Sequence, residues 1–144
     1  MTPSIFRTTP LLAAALAAWL AAAPAGAQSP ASAPPADGQT LFAKNCAACH
    51  QATGKGIPGA FPALAGNAFV QGAPAEVATV LLKGRGGMPD FSNSLDDGEI
   101  AAVLTHVRTS WGNRAAPLSE QDVAAQRAAL GVAPATHGRF GNKH

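Results

Sequence analysis

Cysteine and methionine are scarce in this chain of 144 residues, which has two of each. Two cysteines imply no disulfide framework, and a closed metal site would need further cysteines or clustered histidines. The apolar run at 11–23 has thirteen residues, whereas a membrane-spanning helix needs about 20. A strong charge of either sign is also missing, because the formal net charge is only +2. The composition therefore predicts neither a nucleic-acid partner nor strong steering towards an acidic surface.

The beginning of the chain has the pattern of a secretory signal peptide, which we predict at residues 1–27. One charge, Arg7, precedes the apolar run, and Ala25-Gly26-Ala27 has the A-x-A arrangement of a cleavage site. An uncleaved amphipathic or membrane anchor is the alternative. Without Arg7, nine Lys and Arg face eight Asp and Glu, a formal net charge of +1. We expect no stable membrane insertion after cleavage, and a periplasmic location.

The remaining chain divides into three segments by composition. Residues 28–36 are uncharged and rich in Pro, Ala and Ser, which is typical of a flexible tether. The compact domain is expected at 37–113, a small size for an apolar core without a staple such as a buried cofactor. Residues 114–144 form a C-terminal extension with a short helix and a tail, in which His137 and His144 are expected to be solvated. No internal repeat or alternating strand pattern occurs, so the predicted class is all-α with loops.

The stretch Cys46-Ala47-Ala48-Cys49-His50 carries the strongest chemical signal. Two thiols three residues apart, followed directly by an imidazole, form the attachment pattern of c-type haem. Positions i and i+3 share one face of a helix, so both sulfurs can form thioethers to one haem while His50 binds its iron. The alternatives are a thioredoxin-like redox pair, which usually accompanies a βαβ pattern, and half of a metal site, which needs more ligands. In bacteria, c-type haem is attached on the outer side of the cytoplasmic membrane, and this agrees with the predicted export of the chain.

The segment 51–71 is rich in Gly and Pro, which rules out a long helix and predicts a loop around the proximal edge of the haem. A ligating histidine usually donates its second ring N–H to a carbonyl, which fixes the tautomer. Pro62 is the candidate for that carbonyl and Pro58 is the second choice, while the alternative is that both are ordinary turn residues. Phe61 and Leu64 are expected to pack on or beside the porphyrin.

Helical patterns predict four helices, over 37–50, 74–83, 96–112 and 119–130. The third begins with a capping box formed by Asp96 and Glu99, and its apolar stripe ends at Trp111. Gly38 would normally be a cost inside the first helix. We expect the third helix to cross the first at this glycine, where two backbones can approach closely.

Met88 follows the glycine-rich stretch Lys83-Gly84-Arg85-Gly86-Gly87. This stretch lacks the Gly-Lys-Ser/Thr ending of a phosphate-binding loop and follows a helix rather than a strand. Its glycines instead let the backbone run close to a flat cofactor and present Met88 to the iron from the distal side. Met88 is the only methionine besides the initiator, so any His/Met haem must use it, and the alternative is a core filler. Arg85 and Lys83 either pair with haem propionates or remain solvated.

The distal half of the chain, from Gly87-Met88-Pro89-Asp90-Phe91 to Trp111-Gly112-Asn113, resembles class I c-type cytochromes, in particular single-haem cytochromes and cytochrome domains of bacterial periplasmic dehydrogenases. The resemblance covers about residues 37–113. It implies a small class I fold with about three core helices, loops around one covalent haem and a possible extra C-terminal helix.

The resemblance also implies a set of haem contacts: thioethers at Cys46 and Cys49, and His50 and Met88 as axial ligands. The family's Pro-x-Leu pattern falls on Pro62-Ala63-Leu64, which favours the Pro62 carbonyl as the acceptor for the histidine.

One residue departs from the family pattern. His106 stands where many relatives have an aromatic residue, and this departure concerns the helix crossing rather than the ligation.

The predicted function is a periplasmic one-electron carrier and not an enzyme, because iron held by His50 and Met88 has no open position for substrate. Its partners would be a dehydrogenase as donor and an oxidase or another cytochrome as acceptor, which dock briefly at an exposed haem edge with scattered lysines. A tightly bound electron-transfer subunit of a periplasmic dehydrogenase is the first alternative. A ligand-binding or peroxidase-type haem enzyme and a thiol redox or metal-binding protein are the others.

Overall fold

Five α-helices make up the described part of the chain, residues 37–136 of the computed structural model. They are α1 (Gly38–Asn45), α2 (Ala47–His50), α3 (Pro74–Lys83), α4 (Asp97–Thr109) and α5 (Glu120–Ala129). Within 37–136 there is no strand, only two isolated bridges, so the predicted all-α class is confirmed. None of these helices is long and apolar enough to cross a membrane. The expected leader, the tether and the two histidines of the tail lie outside the described residues.

One apolar cluster forms the core, and α1, α3, α4 and α5 all contribute to it. Ile100 on α4 and Val123 on α5 are both 0% exposed. Each fully buried side chain of this size stabilises the fold by about 1.5–3 kcal/mol. The buried apolar residues are Leu41, Phe42, Val70, Val77, Ala78, Leu81, Leu82, Leu95, Ile100, Ala101, Val103, Leu104, Val107, Leu118 and Val123.

The first and fourth helices cross at the predicted glycine. A Cβ atom placed on Gly38 would lie 2.8 Å from the carbonyl carbon of Ala102, so only glycine fits between the two backbones. Next to this contact the ring of Phe42 packs 5.5 Å from that of His106 and 5.0 Å from that of Trp111. His106 therefore joins an aromatic cluster at the helix crossing, where it takes part in packing.

The helix predicted over 37–50 is divided at Cys46, which has φ −124°. Just before the break the Asn45 amide donates to the Leu41 carbonyl at 2.9 Å, a local bond that competes with regular helix geometry. The chain then re-enters a helix, because the His50 N–H donates to the Cys46 carbonyl at 3.0 Å. As a result Cys46 lies between α1 and α2, and Cys49 lies on α2.

Helix α4 begins as predicted but ends early. Its capping box is present: the Glu99 N–H donates to Asp96 Oδ1 at 2.8 Å, and the Asp96 N–H donates to the Glu99 carboxylate at 3.0 Å. The expected end at residue 112 is wrong, because α4 stops at Thr109 and Trp111 has φ 52°. The Asn113 side chain donates to the Val107 carbonyl in the last turn of α4, which allows the helix to end before residue 112.

The packed core extends past residue 113, and the helix of the C-terminal extension, for which both packing over the core and contact with a partner were open, contributes to it. Leu118 and Val123 are buried in the common cluster. Leu118 is also tied to α4, because its N–H donates to Thr105 Oγ1 at 3.0 Å and the same hydroxyl donates to the Leu118 carbonyl at 3.2 Å. The helix predicted over 119–130 is present as α5, with Ser119 as its N-cap. The C-terminal extension is thus part of the folded unit up to α5.

Candidate haem site

His50 is buried at the end of α2, and its ring orientation is fixed by one hydrogen bond. Its Nδ1 atom lies 3.0 Å from the Pro62 carbonyl oxygen. Because a carbonyl can only accept, Nδ1 must carry the proton, and Nε2 keeps a lone pair for a metal ion. The hydrogen bond predicted from the sequence is present, and Pro62 rather than Pro58 provides the acceptor.

The proximal loop, residues 51–66, folds back on the histidine through backbone hydrogen bonds. The Gly56 N–H donates to the His50 carbonyl at 2.9 Å, and the Leu64 N–H donates to the Gly54 carbonyl at 2.7 Å. These bonds close the loop at both ends. The proline carbonyl is therefore held against the imidazole by the backbone of the loop itself.

Asn113 fastens the proximal loop to α4, and sequence analysis did not assign it this role. It is buried, and its Nδ2 donates to the Leu64 carbonyl at 3.0 Å and to the Val107 carbonyl at 2.8 Å. Its Oδ1 accepts from the Gly66 N–H at 2.8 Å. One neutral amide thus bridges the proximal loop and α4. The only sequence signal for this role was an asparagine directly after the predicted helix end.

The two cysteines differ in environment. Cys46 is partly buried, and this burial, with a smaller effect from nearby Cys49, raises the pKa of its thiol to about 11. Cys49 is exposed. The raised pKa disfavours the thiolate form of Cys46, which is the nucleophilic form of a thiol.

Met88 lies in the distal loop, residues 84–95, and is partly buried against the common core. Two backbone hydrogen bonds close a tight turn in front of it: the Arg85 N–H donates to the Met88 carbonyl at 3.1 Å, and the Met88 N–H donates to the Arg85 carbonyl at 3.0 Å. After it, the Phe91 N–H donates to the Leu81 carbonyl of α3 at 2.7 Å. The loop is therefore attached to the core on the C-terminal side of the methionine.

Arg85, expected either to pair with a haem propionate or to remain solvated, contacts an aromatic ring. Its guanidinium lies 4.6 Å from the centre of the Phe69 ring, a cation–π geometry. This contact links the distal loop to the segment in front of α3.

The donor set fits a covalently attached haem. One imidazole has a free Nε2, one thioether sulfur is partly buried, and two thiols flank the imidazole in the attachment pattern. Leu64 and Phe91 are partly buried against the common core. Of the six predicted site residues, His50 and Pro62 are in direct contact, Cys46, Leu64 and Met88 adjoin the same apolar cluster, and Cys49 is exposed.

Comparisons with known proteins point in the same direction. Residues 33–107 match the family described as cytochrome c oxidase, cbb3-type, subunit III. Cytochrome c-552 of Thermus thermophilus is 35% identical over 131 residues, an alignment that covers 67% of this chain and 98% of that protein.

Two further relatives are subunits of larger enzymes. The cytochrome c subunit of the quinone alcohol dehydrogenase of Gluconacetobacter polyoxogenes is 38% identical over 90 residues, 54% of this chain and 19% of the subunit. The CcoP subunit of the cbb3-type cytochrome c oxidase of Azospirillum brasilense is 33% identical over 84 residues, 54% of this chain and 28% of the subunit. The chain therefore matches only a small part of these two subunits.

Proposed function

The chain belongs to the class I c-type cytochromes and is an electron carrier, and from this premise we propose that it carries one haem, bound through Cys46 and Cys49, with His50 and Met88 as axial ligands. The observation that carries the proposal is the 3.0 Å contact between His50 Nδ1 and the Pro62 carbonyl. It leaves Nε2 as the ligating atom and holds the ring in one orientation.

The residues of the chain set the properties of this centre. The Pro62 carbonyl raises the basicity of the His50 ring by accepting its Nδ1 proton, and the Met88 thioether raises the reduction potential relative to water or a second histidine. The haem supplies the one-electron step when bound. With both axial positions taken by side chains, no position is left for a substrate, and we propose that the chain has no enzymatic activity of its own.

We propose the periplasm as its location, after removal of residues 1–27, with residues 28–36 as a tether. Its partners are then protein redox partners: a dehydrogenase as donor and an oxidase or another cytochrome as acceptor. The similarity to subunits of an alcohol dehydrogenase and of a cbb3-type oxidase supports partners of these two kinds. The long match to a cytochrome c-552 supports the free carrier.

A second candidate is a firmly bound subunit of a dehydrogenase complex, which the similarity to a dehydrogenase subunit favours. Gel filtration of the protein purified from its own host separates the two. The free carrier should elute alone, whereas a subunit should elute with a catalytic protein that reduces its haem on addition of substrate.

The ligation is tested by visible absorption spectra of the exported, haem-loaded protein beside Met88→Ala. We expect a low-spin c-type spectrum with a weak red ferric band in the wild type and loss of that band in the variant. The reduction potential should fall by about 100 mV or more, within the range of about 0.8 V that axial ligands span.

Leu130→Ala is the matched control, because Leu130 is also partly buried against the core but lies at the end of α5. It should keep the red band. A wild-type spectrum that is high-spin and shifts with carbon monoxide would contradict the proposed ligation, and free thiols without haem absorbance would contradict haem attachment.

A further inference from the structure

Arg127 on α5 is a charged residue that is only 3% exposed and has no part in the candidate site. Its Nε donates to the Asp97 carboxylate at 2.6 Å. Its Nη1 donates to the carbonyls of Ser92 and Ala133, at 3.0 and 2.8 Å, and its Nη2 donates to the Leu95 carbonyl at 3.4 Å. A buried guanidinium is tolerated only when its charge and its N–H groups are matched in this way.

Two of these carbonyls belong to the distal loop, on the C-terminal side of Met88. Ser92 is four residues beyond the methionine, and its hydroxyl donates to Asp90 Oδ1 at 2.6 Å. Arg127 therefore bonds to the stretch of chain that follows Met88. The Phe91 N–H bond to Leu81 of α3 holds the same stretch. Between these anchors and the turn at Arg85, the backbone that carries the methionine has little freedom.

Another buried arginine shows that this arrangement is not a general way of attaching segments to the core. Arg108 on α4 is 2% exposed and also donates to three carbonyls, those of Val70, Gly72 and Ala116, at 2.7, 3.0 and 2.9 Å. None of the three belongs to the distal loop. The two arginines thus match in type and burial and differ in which segment they hold.

We propose that Arg127 is a positioning residue for the axial methionine, and that α5 in this way keeps Met88 on the iron. The inference rests on the proposed His50/Met88 ligation. Replacing the guanidinium leaves the Ser92 and Leu95 carbonyls without their donor in a buried place, which destabilises this arrangement of the loop. The loop relieves this cost by moving outward, and the methionine moves with it.

The test uses Arg127→Lys in the haem-loaded ferric protein, with imidazole as a competing ligand. Lysine keeps the charge but has no planar fork that reaches a carboxylate and two carbonyls together. Imidazole binds only those molecules in which Met88 has left the iron, so its apparent Kd falls in proportion as that fraction rises. We expect an apparent Kd about tenfold lower than in the wild type, and no change in the helix content measured by circular dichroism.

Arg108→Lys is the control, and its apparent Kd for imidazole should stay within about twofold of the wild-type value because its carbonyls lie elsewhere. Equal changes in the two variants, or no change in Arg127→Lys, would overturn the inference. Asp97→Ala, which removes the acceptor of the Arg127 Nε–H and leaves the buried guanidinium without its counter-charge, provides a second variant if Arg127→Lys does not fold, and an unchanged imidazole affinity there would equally overturn the inference.

The same spectra separate this inference from the proposed function. If the wild type shows no red ferric band, the proposed His50/Met88 ligation is wrong, and the inference about Arg127 is wrong with it. If the wild type has that band and the Arg127 variant binds imidazole as weakly as the wild type, only the role of Arg127 is wrong.

Discussion

The proximal and distal loops each present one candidate axial ligand, but they are held in different ways. The proximal loop is closed by its own backbone and fastened by Asn113, whose neutral amide lies four residues after the end of α4. The distal loop is bonded to α3 through the Phe91 N–H and also to Arg127, a charged side chain from α5. The loop that contains His50's acceptor is thus held by residues within 37–113, whereas the loop that contains Met88 also receives bonds from the C-terminal extension.

Each loop contains a glycine that lies so close to a backbone carbonyl of the same loop that a Cβ atom would not fit. A Cβ atom on Gly56 would lie 2.6 Å from the Pro62 oxygen, and one on Gly84 would lie 2.7 Å from the Met88 oxygen. Both glycines have positive φ, 64° and 73°. Adding a methyl group at either position therefore disturbs one loop and leaves the other intact.

The largest effect is expected from Gly56→Ala. The new methyl group would collide with the Pro62 carbonyl, which orients His50. The backbone of the alanine would occupy the left-handed region, at a cost of about 1–2 kcal/mol. The clash adds about 1–3 kcal/mol, so we expect a total loss of about 3 kcal/mol in the free energy of unfolding. Denaturant unfolding of the haem-loaded protein measures it.

Gly59→Ala is the matched control in the same loop. Gly59 has φ 79°, but a Cβ atom there would meet no atom within 4 Å. It should show only the backbone cost of about 1–2 kcal/mol. Equal losses of unfolding free energy in Gly56→Ala and Gly59→Ala would mean that the contact with the Pro62 carbonyl adds nothing to the backbone cost.

A smaller loss of stability, about 2 kcal/mol, is expected from Gly84→Ala, because the distal loop can move outward to relieve the contact with the Met88 carbonyl. The ligation should respond more than the stability does. We expect a weaker red ferric band and tighter imidazole binding, while Gly86→Ala, with φ 58° and no atom within 4 Å of its Cβ, should leave both unchanged. A normal red band in Gly84→Ala would show that the turn does not control Met88.

Local patterns in the sequence were enough to predict much of this arrangement. The capping box of α4, the proline that starts α3 and the glycine at the helix crossing each depend on a few neighbouring residues, and all are present as predicted. The proximal carbonyl was predicted because a ligating histidine needs such an acceptor and the Pro-x-Leu pattern offered one, which the bond from His50 to Pro62 confirms.

The fastening residues could not be predicted in the same way. Asn113 bonds to Leu64, 49 positions earlier, and Arg127 bonds to Ser92, 35 positions earlier. Such partners are set by how the helices pack, and no local pattern reports them. Only Val123 and Arg127 of α5 are buried, so this helix lacks the apolar stripe that would assign it to the core from sequence.

The smallest expected effect concerns the stability of α5 in acid and depends on Asp122. The Ser119 backbone N–H and then its hydroxyl donate to this carboxylate, which lowers the pKa of Asp122 below its ordinary 3.8. Ionised Asp122 therefore stabilises the folded state fully above about pH 3.8, and this stabilisation is lost as the pH falls through the lowered pKa. Asn113, which fastens the proximal loop, carries no titrating group.

Asp122→Asn should therefore lower the midpoint of denaturant unfolding at pH 7, by less than either glycine variant, and the difference from wild type should shrink towards zero as the solution is made acidic. Glu120→Gln removes a charge from the same turn of α5 outside the capping box and serves as the control at pH 7 for the change in net charge. If the difference for Asp122→Asn is the same at pH 7 and pH 3, its charge does not stabilise α5.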